Sequence, residues 1–253
     1  MAAKALLTAG AFVAMIWGSE PIEPTFQGWV EANFLFIGPD ETGRVERLSV
    51  REGETVTEGA PLFTVDADLQ KSAVQQNEAT LVNARQTFER AQQLLKSGTG
   101  TKKEFDAALA TLTEAEARLS SMQTRLARRA VTSPASGTIQ QVYFRAGEVV
   151  PAGRPVVSLL PPENVKLRFF VREAMLPRIK LGNAVRVRCD SCAAQINAHI
   201  SFISDTAEYT PPVIYSLEER GKLVFLVEAR PERPELVRVG QPIRVALAQE
   251  VLR

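Results

Sequence analysis

Few side chains in this sequence are suited to making or breaking bonds. His199 is the single histidine, and Cys189 and Cys192 are the only cysteines, set as Cys-Asp-Ser-Cys behind the alternating run Val185-Arg186-Val187-Arg188. A zinc site needs four donors, and His199 adds only one to the two thiols. A thioredoxin-like dithiol belongs at the start of a helix after a strand, whereas the residues downstream, 195–203, read as another strand. In an oxidising compartment two thiols this close pair across a hairpin loop; in a reducing one they are small buried apolar groups. A histidine-based acid–base engine has no second member. The expectation is a protein without cofactor, metal or enzymatic activity.

Composition narrows the classes further. The apolar share of 45% and charged share of 23% belong to a chain that buries real cores, which excludes wholesale disorder. Thirty basic side chains against 29 acidic ones leave +1, with no polycationic block, so a nucleic-acid partner is not expected. The 253 residues suffice for one or two domains or several small modules.

The strongest organisational signal is a self-match. Residues 43–66 (GRVERLSVREGETVTEGAPLFTVD) align without gaps on residues 137–160 (GTIQQVYFRAGEVVPAGRPVVSLL), with 7 of 24 positions identical. The identities are Gly43/Gly137, Arg51/Arg145, Gly53/Gly147, Glu54/Glu148, Val56/Val150, Gly59/Gly153 and Pro61/Pro155. Each copy reads strand–turn–strand, with a Gly-Glu turn and a Gly-x-Pro turn. A half of this size cannot bury its own apolar face, so two halves are expected to close into one small β-sandwich.

Between the copies the composition changes. Val74, Asn77, Leu81, Ala84, Phe88, Ala91 and Leu95 fall on a 3–4 spacing, as do Phe105, Ala108, Leu112, Ala115, Leu119, Met122 and Leu126. These rows predict two amphipathic helices, broken by Gly98-Thr99-Gly100, each with a seam narrow enough for one partner helix. An antiparallel coiled-coil hairpin with arms of about 45 Å follows.

Residues 1–18 carry a short basic start (Lys4) and an apolar run ending at Trp17, shorter than a free-standing span and lacking a small-x-small cleavage site before Ser19. The segment reads as an uncleaved signal anchor that exports the rest. Beyond residue 160, short runs at 165–172, 184–188, 196–204, 223–229 and 243–247 predict a small closed barrel, with one helix over 173–181. The sequence ends soon after the last run, so a further membrane-proximal domain is expected to be rudimentary and built with residues near 25–36.

In this order of parts the chain resembles the HlyD-type periplasmic adaptors, the membrane fusion proteins of tripartite efflux and secretion systems. The resemblance implies an elongated α+β chain of modules. These are an anchor (1–18), a membrane-proximal leading strand (19–42), a lipoyl-like domain (43–66 with 131–160), an α-helical hairpin (67–130) and a β-barrel domain (161–253). It implies a periplasmic location, anchorage in the inner membrane, a hexameric ring, and two partners. One is an inner-membrane transporter facing the barrel; the other is a TolC-type outer-membrane channel at the hairpin tip. Residues 207–230 resemble the barrel segment of ABC-exporter adaptors, which favours an ABC-type transporter over a proton-driven one. Adaptors of this kind carry Arg-x3-Leu-x6-Ser around the tip; the same spacing here gives Arg90, Leu94 and Thr101, with threonine in place of serine. Read from residues alone, Arg90 and Leu94 are a solvated i,i+4 pair and Thr101 N-caps the second helix through the capping box Thr101-Lys102-Lys103-Glu104. Arg51, Glu54, Arg145 and Glu148, at the repeated turns, are candidate inter-subunit contacts in such a ring, or exposed turn charges of little consequence.

Two other function classes compete with this one. A lipoyl or biotinyl carrier needs a lysine on the turn joining the halves, where Asp66-Ala67-Asp68 stands instead. An envelope coiled-coil scaffold without a transport role would share the hairpin but not a channel-binding tip.

Overall fold

The computed structural model describes residues 25–190, 192, 195–209 and 223–248. The expected anchor at 1–18 and most of the 207–230 stretch lie outside them. Among the described residues no helix is long and apolar enough to cross a membrane. The chain divides into two compact units, one around Val30–Leu167 and one around Arg168–Glu232.

Strand β1 (Thr25–Ala32) opens the described chain. The sandwich follows with β2 (Leu35–Ile37), β3 (Gly43–Leu48), β4 (Thr55–Val56) and β5 (Pro61–Val65). After the helices come β6 (Ala130–Thr132), β7 (Gly137–Val142), β8 (Val149–Val150) and β9 (Val157–Leu160). Two four-stranded sheets result, in the orders β2-β9-β7-β4 and β6-β5-β3-β8. The repeat is thus exchanged: β4 of the first copy pairs with β7 of the second, and β8 of the second with β3 of the first. Neither half has a complete sheet alone. Val45, Leu62, Phe63, Val65, Ile139, Val150, Val156 and Leu159 fill the shared core.

The hydrogen bonds repeat with the sequence. Gly53 N–H donates to the Ile139 carbonyl (2.8 Å) and Gly147 N–H to the Val45 carbonyl (2.7 Å). The Glu54 carboxylate accepts the Arg51 N–H (3.0 Å), and the Glu148 carboxylate accepts the Arg145 N–H (2.9 Å). Gly53, Gly59, Gly147 and Gly153 all hold φ between 74° and 95°, the left-handed region in which a side chain is strained. These four glycines are therefore turn requirements, and each shared glutamate braces its own turn.

The arm consists of α1 (Asp68–Lys96) and α2 (Lys102–Ala127). The residues of both 3–4 rows are buried or half-buried, with Val74, Ala84, Ala108 and Ala115 fully so. Alanines at these positions let the helices approach closely, and Phe88 meets Phe105 with ring centroids 5.4 Å apart. Asn77 satisfies its amide on its own helix, donating to the Ala73 carbonyl at 2.8 Å. The arm grows from between hydrogen-bonded neighbours: Thr64 of β5 is paired with Ala130 of β6, and Val65 N–H donates to the Arg129 carbonyl at 2.9 Å.

The other unit is a closed barrel. Its further strands are β10 (Val165–Arg172), β11 (Ala184–Arg188), β12 (Ile196–Tyr209), β13 (Leu223–Pro231) and β14 (Pro242–Leu247), in the order β1-β10-β13-β12-β11-β14. Alternate residues point inward; Phe26 stacks on Phe169 at 6.0 Å, and Val185, Val187, Ile243 and Val245 are buried with them. Two expectations change here. Thr25–Ala32, expected in a membrane-proximal leading strand, is a barrel strand. It pairs with β14 from Thr25 to Trp29, Phe26 is buried, and Gly28 lets the strand lie against the β10 backbone. The helix expected over 173–181 is a 3-10 segment, Glu173–Arg178, whose Pro177 cannot supply an α-helical N–H.

Candidate docking site at the hairpin tip

The tip is built by two helix ends. Helix α1 stops at Ser97, and Gly98 turns the chain at φ 76°. The Leu94 carbonyl gathers the loop: it accepts the N–H groups of Thr99 (3.0 Å) and Gly100 (2.9 Å) and the Ser97 hydroxyl (3.0 Å). Gly100 lies against the Leu94 Cβ with no room for a Cβ of its own. Thr101 is extended (φ −102°, ψ 151°) and begins α2 with a complete capping box. Its Oγ1 accepts the Glu104 N–H at 3.2 Å, while Glu104 Oε2 accepts the Thr101 backbone N–H and hydroxyl, each at 2.9 Å. Those bonds, the backbone one first, hold the Glu104 carboxyl below its ordinary value.

Arg90 and Leu94 lie one turn apart on the outer face of α1. Arg90 is exposed and donates from Nη2 to Thr87 Oγ1 at 3.2 Å. The Leu94 side chain is 50% exposed although its backbone is the best-connected point of the loop. The tip thus offers an apolar side chain on a rigid mount beside a guanidinium. The Thr101 hydroxyl is more committed than its sequence position suggests. Its proton goes to Glu104 and one lone pair to the helix, leaving one lone pair for anything that docks.

The arm's root was not found by sequence reasoning. Glu41, in the β2–β3 connection, accepts from Arg129 Nη2 (2.7 Å) and Gln70 Nε2 (3.3 Å) and pairs with Arg125 Nε (3.6 Å). Arg129 is buried and also donates to the Thr42 carbonyl at 3.2 Å; Arg128 pairs with Asp40 at 3.1 Å. Both ends of the arm are therefore tied to one acidic loop.

The remaining candidates lie elsewhere. Arg51, Glu54, Arg145 and Glu148 are exposed at the sandwich turns already described. Cys189 and Cys192 form a disulfide after β11, with Cα atoms 5.2 Å apart. His199 is half-exposed on β12, 3.6 Å from a Glu232 carboxylate oxygen. No cluster of metal-ligating side chains occurs among the described residues.

Comparison with known proteins bears on both the arm and the fold. Residues 66–129 match the family described as RND MFP, alpha-helical hairpin domain. The "UPF0194 membrane protein in asrC 5'region" of Acidithiobacillus ferridurans is 30% identical over 179 residues, covering 69% of this chain and 53% of that protein. The "Antibiotic efflux pump periplasmic linker protein ArpA" of Pseudomonas putida is 31% identical over 118 residues, covering 47% of this chain and 32% of its own length. The chain thus spans about half the length of the first of these relatives and about a third of the second. A crystallised MacA-MexA chimera containing the Pseudomonas aeruginosa MexA α-hairpin domain superposes with a TM-score of 0.73 at 18% identity, covering 90% of this chain and 84% of the chimera. The fold is that of the membrane fusion proteins, shared also with Spr0693 of Streptococcus pneumoniae R6 at a TM-score of 0.69 and 16% identity, over 90% of this chain and 99% of that one. Residues 66–129 thus form an α-helical hairpin of the RND MFP kind, inserted in the split sandwich.

Proposed function

We propose that this chain is the periplasmic adaptor of a tripartite efflux or secretion system. It joins an inner-membrane transporter, through its barrel, to a TolC-type outer-membrane channel, through its hairpin tip. The observation that carries this is the tip itself: a two-helix arm whose end is closed by its own caps and still presents Leu94 half-exposed beside Arg90. An apolar anchor flanked by a cation suits docking against a partner coiled coil. Its work is assembly and conformational coupling rather than bond chemistry. Arg90→Asp removes the docking cation from an exposed position, so export falls while folding is retained. Unchanged drug susceptibility in a strain dependent on this system would favour the scaffold reading instead.

The working form is a hexameric ring anchored to the inner membrane by residues 1–18. Glu54 and Glu148 are engaged by the backbone of their own turns, which leaves the Arg51 and Arg145 guanidiniums free to make the inter-subunit contacts. Charge reversal of both arginines is expected to lower the cross-linked oligomer yield. The resemblance of residues 207–230 supports an ABC-type transporter. The hairpin's likeness to RND adaptors supports the proton-driven runner-up, although the hairpin is the channel-facing part. Mass spectrometry of complexes pulled down from membranes decides between them. Proteolysis of spheroplasts digests a periplasmic protein and spares a cytoplasmic one. Maleimide leaves Cys189 and Cys192 unmodified in unreduced protein if the disulfide forms in the envelope.

A further inference from the structure

Strands β11 and β14 run antiparallel with Arg188 opposite Arg244, and β14 and β1 with Arg244 opposite Gln27. Cross-strand partners share a sheet face, so these three exposed side chains form one row with two guanidiniums side by side. Like charges directly opposite in a ladder are unfavourable unless something negative lies between or beside them. Asp190 answers one of them, accepting from Arg244 Nη2 at 3.1 Å. Arg188 has no ion pair among the described residues. The row and Asp190 border a cleft of about 250 Å³ that Gly28 and Ile243 complete. The Cys189–Cys192 disulfide closes the turn bearing Asp190 and so keeps that carboxylate beside the row.

Two planar forks against one carboxylate leave the cleft net positive, with donors arranged to grip a tetrahedral oxyanion. We infer that this cleft binds a phosphate group between Arg188 and Arg244, with the Gln27 amide as a neutral donor. The source follows from what stands next to it. Trp29, two residues along β1 and on the same outward face as Gln27, packs on Phe170 with ring centroids 5.6 Å apart and stays 38% exposed. An amphipathic indole beside a phosphate grip suits a bilayer surface. Thr25 follows the expected anchor by seven residues, a span of at most about 24 Å. The ligand is the phosphate of an anionic phospholipid headgroup rather than free phosphate.

The test uses the full-length protein in neutral maltoside micelles, with Trp17→Phe so that Trp29 is the only indole. Inorganic phosphate and short-chain phosphatidylglycerol are titrated separately and followed by fluorescence. The expected result is saturable binding of phosphatidylglycerol, at least tenfold tighter than of phosphate. It should weaken at least tenfold in Arg188→Gln and Arg244→Gln and stay unchanged in Arg172→Gln, a barrel arginine outside the cleft. Absence of saturation with either ligand, or binding that survives Arg188→Gln, overturns the site. Equal affinity for both ligands, lost in both cleft variants, keeps the oxyanion site and rejects the lipid. If Arg244→Gln disturbs folding through its bond to Asp190, as circular dichroism would show, Arg188→Gln carries the test alone.

Discussion

At its root the α1–α2 arm is held by side chains remote from one another in sequence; at its tip it is held by residues close to one another in sequence. Glu41 collects Gln70, Arg125 and Arg129 across up to 88 positions. The tip is closed by the Leu94 carbonyl and by Thr101 with Glu104, all within ten positions. The root therefore exists only in the folded unit, where a buried cation depends on it. The tip is a local structure that any well-capped helical hairpin could form, which frees its outward side chains for a partner.

The largest effect on this contrast is expected from Glu41→Ala. It strips Arg129 of its carboxylate and should lower stability in urea by about 2 kcal/mol, the range for hydrogen bonds to a buried charge. Adding Arg129→Met should recover part of that loss by removing the stranded cation. A loss within about 0.5 kcal/mol would mean that root and tip are held alike. Thr101→Ala comes next: the capping box goes, and thermal melting should report about 1 kcal/mol. Leu94→Asp should change stability by less than about 0.5 kcal/mol, since the side chain is solvated. Cross-linking to a TolC-type channel should nevertheless be lost. Acid gives the smallest change. Because the folded Glu104 sits below its ordinary value, its contribution is present above that ordinary value and fades as pH falls through the lowered one. The fading should be absent in Glu104→Gln, as followed by helical circular dichroism.

Sequence legibility divides along the same line. The seam rows, the broken helix and the capping box were readable because each depends on spacings of three or four residues. The β repeat was readable because it occurs twice. The exchange of β4 and β8 between the copies was not, since a two-residue strand carries no address. Glu41 gave no signal: it is one acid among many, and its partners are defined by the fold. Thr25–Ala32 was legible as a leading strand but not as a barrel strand, because its partner β14 lies far away in sequence. The Thr101 match to the tip pattern was visible, while the commitment of its hydroxyl to Glu104 needed coordinates.

Because β5 and β6 are paired neighbours where the arm leaves the sandwich, a plain turn would close that edge as well as the coiled coil does. Beyond the root residues that bind Glu41, the β-module is thus indifferent to what is spliced into it. Reach can change by whole heptads, about 10 Å for each seven residues added to both helices, without disturbing the base. Such a protein can be fitted to a wider or narrower gap, or given a different fingertip, by exchanging one cassette.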